Sequence, residues 1–287
     1  MKSVSFTIPN GYAKLPEEDS LAFVILDNTI FGIIADGITR DPRLPRLPKH
    51  NTKEFESFVK TYPIPSPSKI VSDILCSKFI EKMIENAQKD NSIISSLEVA
   101  NTEIKMWNKK NIKNINYLDK DFGGTIAAAF KYYNGNLDFV YNADCGIAIF
   151  DKLGKRKFIS EDLMLTADKN RIDAKIDIED WNDNIQRANF RKEFRNKVKL
   201  DKNGKCLSFG AFTGEKRVFL PELIKKGSLK ISTGDFIIAF TDGARDYIEN
   251  TNKIATCLST DIASLKTYLS SNDYTKKERS IIAIQIT

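Results

Sequence analysis

Two Asp-Gly pairs are the residues of this sequence best suited to chemistry. Asp36-Gly37 directly follows the apolar run IIA, and Asp242-Gly243 follows the apolar run FIIAF and one threonine. A carboxylate at the end of a buried strand is held rigidly, and the glycine after it allows close approach to the backbone. Asp-Gly is also a common turn sequence, so either pair alone would carry little information. Two pairs, each after an apolar strand, make a binding site as good an explanation as two turns.

Further acidic residues lie at the borders of other predicted strands. Glu18 and Asp19 precede the run LAFVIL, and Asp144 follows LDFVYNA; each alone could equally be a solvated turn carboxylate. Pairing of strands in a sheet can bring such ends together. Mg²⁺ and Mn²⁺ select oxygen ligands without His or Cys, and two adjacent ions can activate a water and clamp a phosphate. The acidic set therefore predicts a divalent metal site.

Composition excludes several other classes of site. The sequence has one histidine, His50. A site with several histidine ligands, or a Ser-His-Asp triad, is therefore hard to build. The four cysteines form no CxxC pair, which argues against zinc and fits free thiols in a reducing compartment. The net charge of +6 is too small to indicate nucleic-acid binding. No apolar run approaches the ~20 residues of a membrane span, and residues 1–11 lack a signal-peptide core. We expect a cytoplasmic protein with neither nucleic acid nor membrane as a partner.

The elements that position these residues follow from hydrophobic patterning. The runs at 21–26 and 30–35, joined by Asp27-Asn28, predict a β-hairpin. Further strands are predicted at 124–132, 137–142, 146–150, 229–232, 236–240 and 280–286. Helices are predicted from a Ser68 cap onward and at 92–107, 178–194 and 254–269, with a loop over the proline-rich residues 40–67. Because helices come in blocks and do not alternate with strands, we expect an α+β fold with antiparallel sheets flanked by helices.

Six segments together resemble the protein phosphatase 2C (PPM) family, in the order that the family has them. Each is weak alone, and together they extend from residue 14 to residue 286. They are KLPEEDS (14–20), IIADGITR (33–40), FGGTIAAAF (122–130), NADCGIAIF (142–150), TGDFIIAFTDGARD (233–246) and ERSIIAIQI (278–286). The resemblance implies a four-layer α-β-β-α sandwich with two central antiparallel β-sheets. It also implies a single PPM-type domain over residues 1–287, with a variable flap insertion at about 151–229.

The resemblance further implies a metal-dependent serine/threonine phosphatase. By position, Asp36 bridges two Mn²⁺ or Mg²⁺ ions, the Gly37 carbonyl binds one of them and Asp242 the other. Glu18 and Asp19 hold metal-bound waters, and Asp144 helps Asp242 to hold a third, weaker ion. Lys14 stands four residues before Glu18, where many members have a phosphate-binding Arg; a surface Lys with no role is an equal alternative. The implied substrate is a phosphorylated protein, the product of a Ser/Thr kinase, and we expect a monomer.

The sequence departs from the family pattern at the start of the last strand. The family has Asp-Asn or Asp-Asp there, and this chain has Lys277-Glu278. A cation at a ligand position repels a metal ion. Three alternatives follow. Glu278 serves as the metal ligand after a shift in register, Asp273 reaches the metal site instead, or metal binding is impaired. Two hypotheses follow: an active phosphatase that uses a metal-activated water, and a pseudophosphatase that acts as a phosphoprotein-binding or regulatory module. The basic stretch 187–205 is either a solvated surface or a docking face for phosphoprotein.

Overall fold

The computed structural model describes residues 2–9, 15–38, 52–86, 93–118, 120–176, 183–270 and 277–287. In these residues ten strands form two five-stranded sheets in which every pairing between strands is antiparallel. The strands are β1 (Lys2–Ile8), β2 (Ser20–Leu26), β3 (Thr29–Gly37), β4 (Thr125–Tyr133), β5 (Asn136–Asn142), β6 (Gly146–Phe150), β7 (Arg156–Ile159), β8 (Ile224–Lys230), β9 (Phe236–Phe240) and β10 (Arg279–Gln285). Sheet I has the order β1-β10-β9-β6-β7, and sheet II has the order β2-β3-β4-β5-β8.

The helices fall into three groups along the chain. They are α1 (Lys53–Thr61), α2 (Pro67–Glu85), α3 (Ile93–Asn111), α4 (Leu163–Asp173), α5 (Asn184–Phe194), α6 (Asp242–Glu249), α7 (Thr251–Thr260) and α8 (Ser264–Ser270). A short 3₁₀ helix covers Lys216–Phe219. The first group lies between the strands β3 and β4, the second between β7 and β8, and the third between β9 and β10.

In the part of the chain that the structure describes, three apolar layers join the sheets and the helices. Residues of both sheets, among them Ile34 and Ile282, meet in the layer between the sheets. The second layer joins α2 and α3 to the outer face of sheet II, where Phe31 and Phe79 are fully buried. The third joins α6, α7 and α8 to the outer face of sheet I. The predicted four-layer α-β-β-α sandwich with two central antiparallel sheets is therefore confirmed.

Most predicted strands form close to their expected limits. The hairpin pairs Leu26 with Thr29 across Asp27-Asn28, and Asp27 has a φ of 51°. The strand predicted at 229–232 is displaced, since β8 covers Ile224–Lys230. Its residues KKGSLK are polar because it is the edge strand of sheet II, and such a strand carries little hydrophobic signal.

Three predictions about helices were wrong. Residues 53–61 form α1 inside the predicted loop, because Thr52 caps the helix by accepting a hydrogen bond from the Phe55 amide. The α2 helix is capped by Ser66 and not by Ser68, since Pro67 occupies its first position at no cost in hydrogen bonding. The single helix predicted at 254–269 is two helices, α7 and α8, which are separated near Asp261.

Some predictions fall on residues outside the described ranges. Lys14, His50 and Asp273 are among them, and so is the start of the helix predicted at 178–194, of which α5 forms the end. Within the described ranges, no helix has the length and apolar character needed to cross a membrane. The four cysteines are free thiols.

Candidate metal centre

An acidic pocket of about 170 Å³ lies where the ends of β2 and β3 in sheet II approach the ends of β9 and β10 in sheet I. Its lining combines segments that are far apart in the sequence. The lining residues are Leu15, Pro16, Glu18, Asp19, Asp36, Gly37, Asp242, Lys277 and Glu278. The structure therefore brings most of the predicted site residues together, and their predicted roles toward a metal ion stay predictions.

Asp36 is positioned by the pairing of β3 with β4. Its backbone lies in register with Ile126, and the Thr125 hydroxyl donates to the Asp36 carbonyl at 2.7 Å. The Thr125 hydroxyl in turn accepts a hydrogen bond at 2.9 Å from the buried Ser72 hydroxyl of α2. The threonine of the GGT sequence thus connects the end of β3 to a helix, which fixes the strand end that carries Asp36.

The glycines of both Asp-Gly pairs make room for neighbouring acidic segments. A Cβ atom on Gly37 would lie 2.6 Å from the Glu18 carbonyl oxygen, and one on Gly243 would lie 2.0 Å from the Glu278 carbonyl oxygen. Both distances are far inside van der Waals contact, so any side chain there would push the neighbouring segment away. The glycines are required because Glu18 packs on the end of β3 and Glu278 packs on the start of α6.

Glu18 and Asp19 are held by hydrogen bonds from the surrounding elements. The Glu18 carboxylate accepts from the Tyr62 hydroxyl at 2.9 Å and from the Ser66 hydroxyl. The Asp19 carboxylate accepts from the Thr241 hydroxyl at 3.0 Å, and both acidic residues are buried. Sequence reasoning missed Tyr62, Ser66 and Thr241. Thr241 directly precedes Asp242, but nothing in the sequence shows which hydroxyl groups face a carboxylate.

Glu278 and Lys277 enter the pocket from the start of β10. The Glu278 carboxylate accepts a hydrogen bond from the Glu18 amide at 2.8 Å, which links the first and last segments of the site. The Lys277 ammonium forms an ion pair with the Asp242 carboxylate. Lys277 therefore already neutralises part of the charge that a metal ion at Asp242 would have to meet.

Asp144 lies in the turn between β5 and β6 and does not line the pocket. The Arg245 guanidinium, from α6, donates to the carbonyls of Asp144 and Ser160 at 3.2 Å each and lies 3.5 Å from the Asp162 carboxylate. Arg245 thereby joins α6 to the turn that carries Asp144. Sequence reasoning did not single out this arginine, although it lies in the quoted segment 233–246.

Burial and, after it, the neighbouring negative charges raise the pKa values of the clustered carboxyl groups. Burial, followed by the charges of Asp19 and Asp242, raises the pKa of Asp36 well above its ordinary value. Burial and then the Glu278 charge do the same for the pKa of Asp19. Burial raises the pKa of Asp144 to about 7, with a further contribution from Asp242, and burial raises the pKa of Glu278 to about 7. Such a cluster is stabilised by protons or by cations.

The donor set fits a hard divalent cation. The pocket offers carboxylate and carbonyl oxygens, which are the ligands that Mg²⁺ and Mn²⁺ prefer. Two buried oxygens, Asp144 Oδ1 and Glu278 Oε1, have no hydrogen-bond partner within the described residues. Among those residues, no three acidic, His or Cys side chains already stand at the spacing of a formed metal site. The carboxylates of the described residues are therefore gathered in one pocket without forming a closed set of ligands.

Solved structures with the same fold were found by structural comparison, whereas neither protein-family models nor curated protein sequences gave a match. Stp1, a serine/threonine phosphatase from Staphylococcus aureus, matches with a TM-score of 0.59 and 12% identity over 100% of this chain and 95% of that one. The catalytic domain of the serine/threonine phosphatase PstP, solved with two manganese ions, matches with a TM-score of 0.58 and 11% identity over 100% and 98%. RsbX, solved with magnesium, matches with a TM-score of 0.51 and 12% identity over 99% and 94%.

The chain has the protein phosphatase 2C fold. The match covers the whole chain, so the predicted resemblance to the bacterial serine/threonine phosphatases of this fold is confirmed at the level of structure. The acidic pocket lies between the ends of the two sheets that define the protein phosphatase 2C sandwich. At this level of identity the comparison bears on the fold alone.

The basic stretch 187–205 is neither wholly solvated nor wholly a docking face. The Arg195 side chain is buried, and its guanidinium donates to the Asp121 carboxylate at 2.5 and 3.1 Å. Arg191 contacts the same carboxylate at 2.8 Å. These arginines attach α5 to the segment that precedes β4, so part of the positive charge is structural.

Proposed function

We propose that this chain is a metal-dependent protein serine/threonine phosphatase. The observation that carries the proposal is the convergence of Asp19, Asp36, Asp242 and Glu278 on one pocket from both sheets. The fold supports the same conclusion, because the solved structures that share it include serine/threonine phosphatases. The substrate is a phosphoserine or phosphothreonine protein produced by a kinase. We also propose a cytoplasmic monomer with one PPM-type domain, in which residues of about 151–229 form a substrate-selecting flap.

The chain's own residues would bind the ion and orient the substrate. Asp36 and the Gly37 carbonyl would provide oxygen ligands, and Glu18 and Asp19 would hold waters bound to the ion. Mn²⁺ or Mg²⁺ bound there would supply positive charge to a phosphate and lower the pKa of a water molecule. The number of ions depends on Lys277, because its ammonium already contacts Asp242. Lys14 and a third ion at Asp144 stay predictions.

The test is hydrolysis of p-nitrophenyl phosphate by the purified full chain with Mn²⁺. We expect turnover that EDTA abolishes and that Asp36→Asn lowers more than ~100-fold, since even changes outside the first ligand shell cost 10–100-fold. A Lys226→Asp variant on the exposed edge of β8 is the matched control for a change in surface charge. Equal activity of wild type and Asp36→Asn would reject the proposal.

A second candidate function is a pseudophosphatase that binds phosphoprotein without hydrolysis. The ion pair between Lys277 and Asp242 favours it, because an ammonium competes with a metal ion for the carboxylate. This alternative predicts absent Mn²⁺ binding by calorimetry together with retained binding of a phosphopeptide. Tight Mn²⁺ binding by the wild type would count against it.

A further inference from the structure

Lys277 brings a positive charge into a pocket that is otherwise lined mainly by carboxylates. Its ammonium donates to Asp242 Oδ2, and the residue lines the same pocket as Asp36 and Glu278. The Lys277 side chain is 61% exposed, whereas the Asp242 side chain is 18% exposed. The ammonium therefore reaches Asp242 from the open side of the pocket, where a solute enters.

The acidic residues around Asp36 fall into two halves by the groups that contact them. Asp19 and Glu278 form one half, which is tied together through the Glu18 amide and the Thr241 hydroxyl. Lys69 donates to the Asp19 carbonyl at 2.7 Å and not to the Asp19 carboxylate. Glu278 Oε1 is buried without a hydrogen-bond partner in the part of the chain that the structure describes. This half therefore still has unmet negative charge.

Asp242 and Asp144 form the other half, and their surroundings differ. Lys277 contacts the Asp242 carboxylate directly, and its positive charge opposes the rise in the pKa of Asp144. Arg245 contacts the Asp144 carbonyl, whereas its ion pairs are with Asp162 and Glu249. The negative charge of this half is therefore partly balanced by the Lys277 side chain.

We infer that the Lys277 ammonium takes the place of one metal ion, so that this chain binds a single divalent ion on the Asp36, Asp19 and Glu278 side. This inference rests on the proposed metal site, and it makes Lys277 a phosphate-binding residue instead of a defect. An ammonium has three N–H donors, so it can contact the Asp242 carboxylate and a phosphate oxygen together. A divalent ion bound to Asp242 would lie within a few ångströms of that ammonium and be repelled.

The test counts bound ions by calorimetric titration of the EDTA-treated full chain with Mn²⁺. We expect about one ion per chain for wild type and about two for Lys277→Asp, which replaces the ammonium by a ligand. Lys277→Met removes the charge and keeps a side chain of similar length. It replaces Lys277→Asp in the ion count if thermal melting shows that Lys277→Asp does not fold. It should admit a second, weaker ion. The control, Lys226→Asp, should keep the wild-type ion count.

A second readout measures the affinity of the Mn²⁺-loaded protein for inorganic phosphate. We expect the affinity to fall about tenfold in Lys277→Met, as for the loss of one charged contact, and to stay unchanged in Lys226→Asp. Two ions in wild type, or the same ion count in wild type and both Lys277 variants, would overturn the inference and leave the proposed phosphatase standing. Absence of Mn²⁺ binding in every variant would reject the metal site itself.

Discussion

At the scale of single residues, the carboxylates of the pocket depend on hydroxyl groups that sequence patterns do not reveal. Tyr62 and Ser66 both donate to the Glu18 carboxylate, and Ser66 also caps α2. Thr241 donates to Asp19. Hydrogen bonds of this kind orient ligands and raise their affinity for a metal, so their loss affects binding more than folding.

Replacing Tyr62 by phenylalanine tests this arrangement. The ring is buried and the hydroxyl makes the 2.9 Å contact to Glu18, so Tyr62→Phe keeps the packing and removes one hydrogen bond. We expect the affinity for Mn²⁺ to fall ~10- to 100-fold. We expect the free energy of unfolding of the metal-free protein to change by about 1 kcal/mol at most.

Tyr133→Phe is the matched control, because Tyr133 is 48% exposed at the end of β4 and does not line the pocket. Calorimetric titration and urea unfolding should give the same Mn²⁺ affinity and the same free energy of unfolding for this variant as for wild type. Equal Mn²⁺ affinities for Tyr62→Phe and Tyr133→Phe would show that the Tyr62 hydroxyl does not support the site.

At the scale of elements, the site depends on how closely strand ends approach one another. Gly243, the second residue of α6, packs against the Glu278 carbonyl, and Gly37, the last residue of β3, packs against the Glu18 carbonyl. The position of Glu278 relative to Asp242 is therefore set by a backbone contact that only glycine permits.

The variant Gly243→Ala tests the contact between α6 and β10. Because the added Cβ would lie 2.0 Å from the Glu278 carbonyl oxygen, β10 must shift, at a cost of about 1–3 kcal/mol in the free energy of unfolding. We also expect Mn²⁺ affinity to fall. Gly204→Ala is a control that destabilises without a clash: Gly204 has a φ of +79° and open space around it. Retained Mn²⁺ affinity in Gly243→Ala would contradict the proposed role of this contact.

The sequence predicted these elements unevenly, for physical reasons. The apolar strands β3, β6 and β9 are buried on both faces and give unmistakable runs. By contrast, β1 is a half-exposed edge strand whose partner, β10, lies at the other end of the chain, and no local pattern reveals that pairing. Prolines around α1 obscured its cap at Thr52, although the spacing of Phe55, Phe58 and Tyr62 is helical.

The candidate site was predictable in its acidic residues and not in its contacts. Asp36 and Asp242 are marked by the Asp-Gly pairs, and the order of segments indicated the fold. The ion pair between Lys277 and Asp242 depends on where β10 begins relative to α6, which is a tertiary property. The burial of Arg195 against Asp121 was also not predictable from the sequence, because a basic stretch shows no sign of burial until its acidic partner is known.

At the scale of the whole molecule, two sheets concentrate negative charge at one end of the sandwich, and this charge opposes folding. The pKa values of Asp144 and Glu278 are raised to about 7, and those of Asp19 and Asp36 are also raised, with burial as the largest cause in each case. The native state therefore binds more protons than the unfolded chain between about pH 4 and about pH 7. The free energy of unfolding must fall as the pH rises through that range.

Thermal melting of the full chain tests this dependence. In EDTA, we expect the melting temperature to decrease between pH 5 and pH 8. A bound cation replaces the lost protons, so the increase in melting temperature caused by Mn²⁺ should be larger at pH 8 than at pH 5. A melting temperature in EDTA that increases over this range, or an equal effect of Mn²⁺ at both pH values, would contradict the raised pKa values.

The central claim is that carboxylates from both sheets hold a divalent ion beside Asp36. Anomalous diffraction at the manganese edge, from crystals of the full chain soaked in Mn²⁺, tests it most directly. We predict a peak within coordination distance of the Asp36 carboxylate, and its absence from crystals of Asp36→Asn. An empty pocket in well-soaked wild-type crystals, or a peak that persists in Asp36→Asn, would contradict the account.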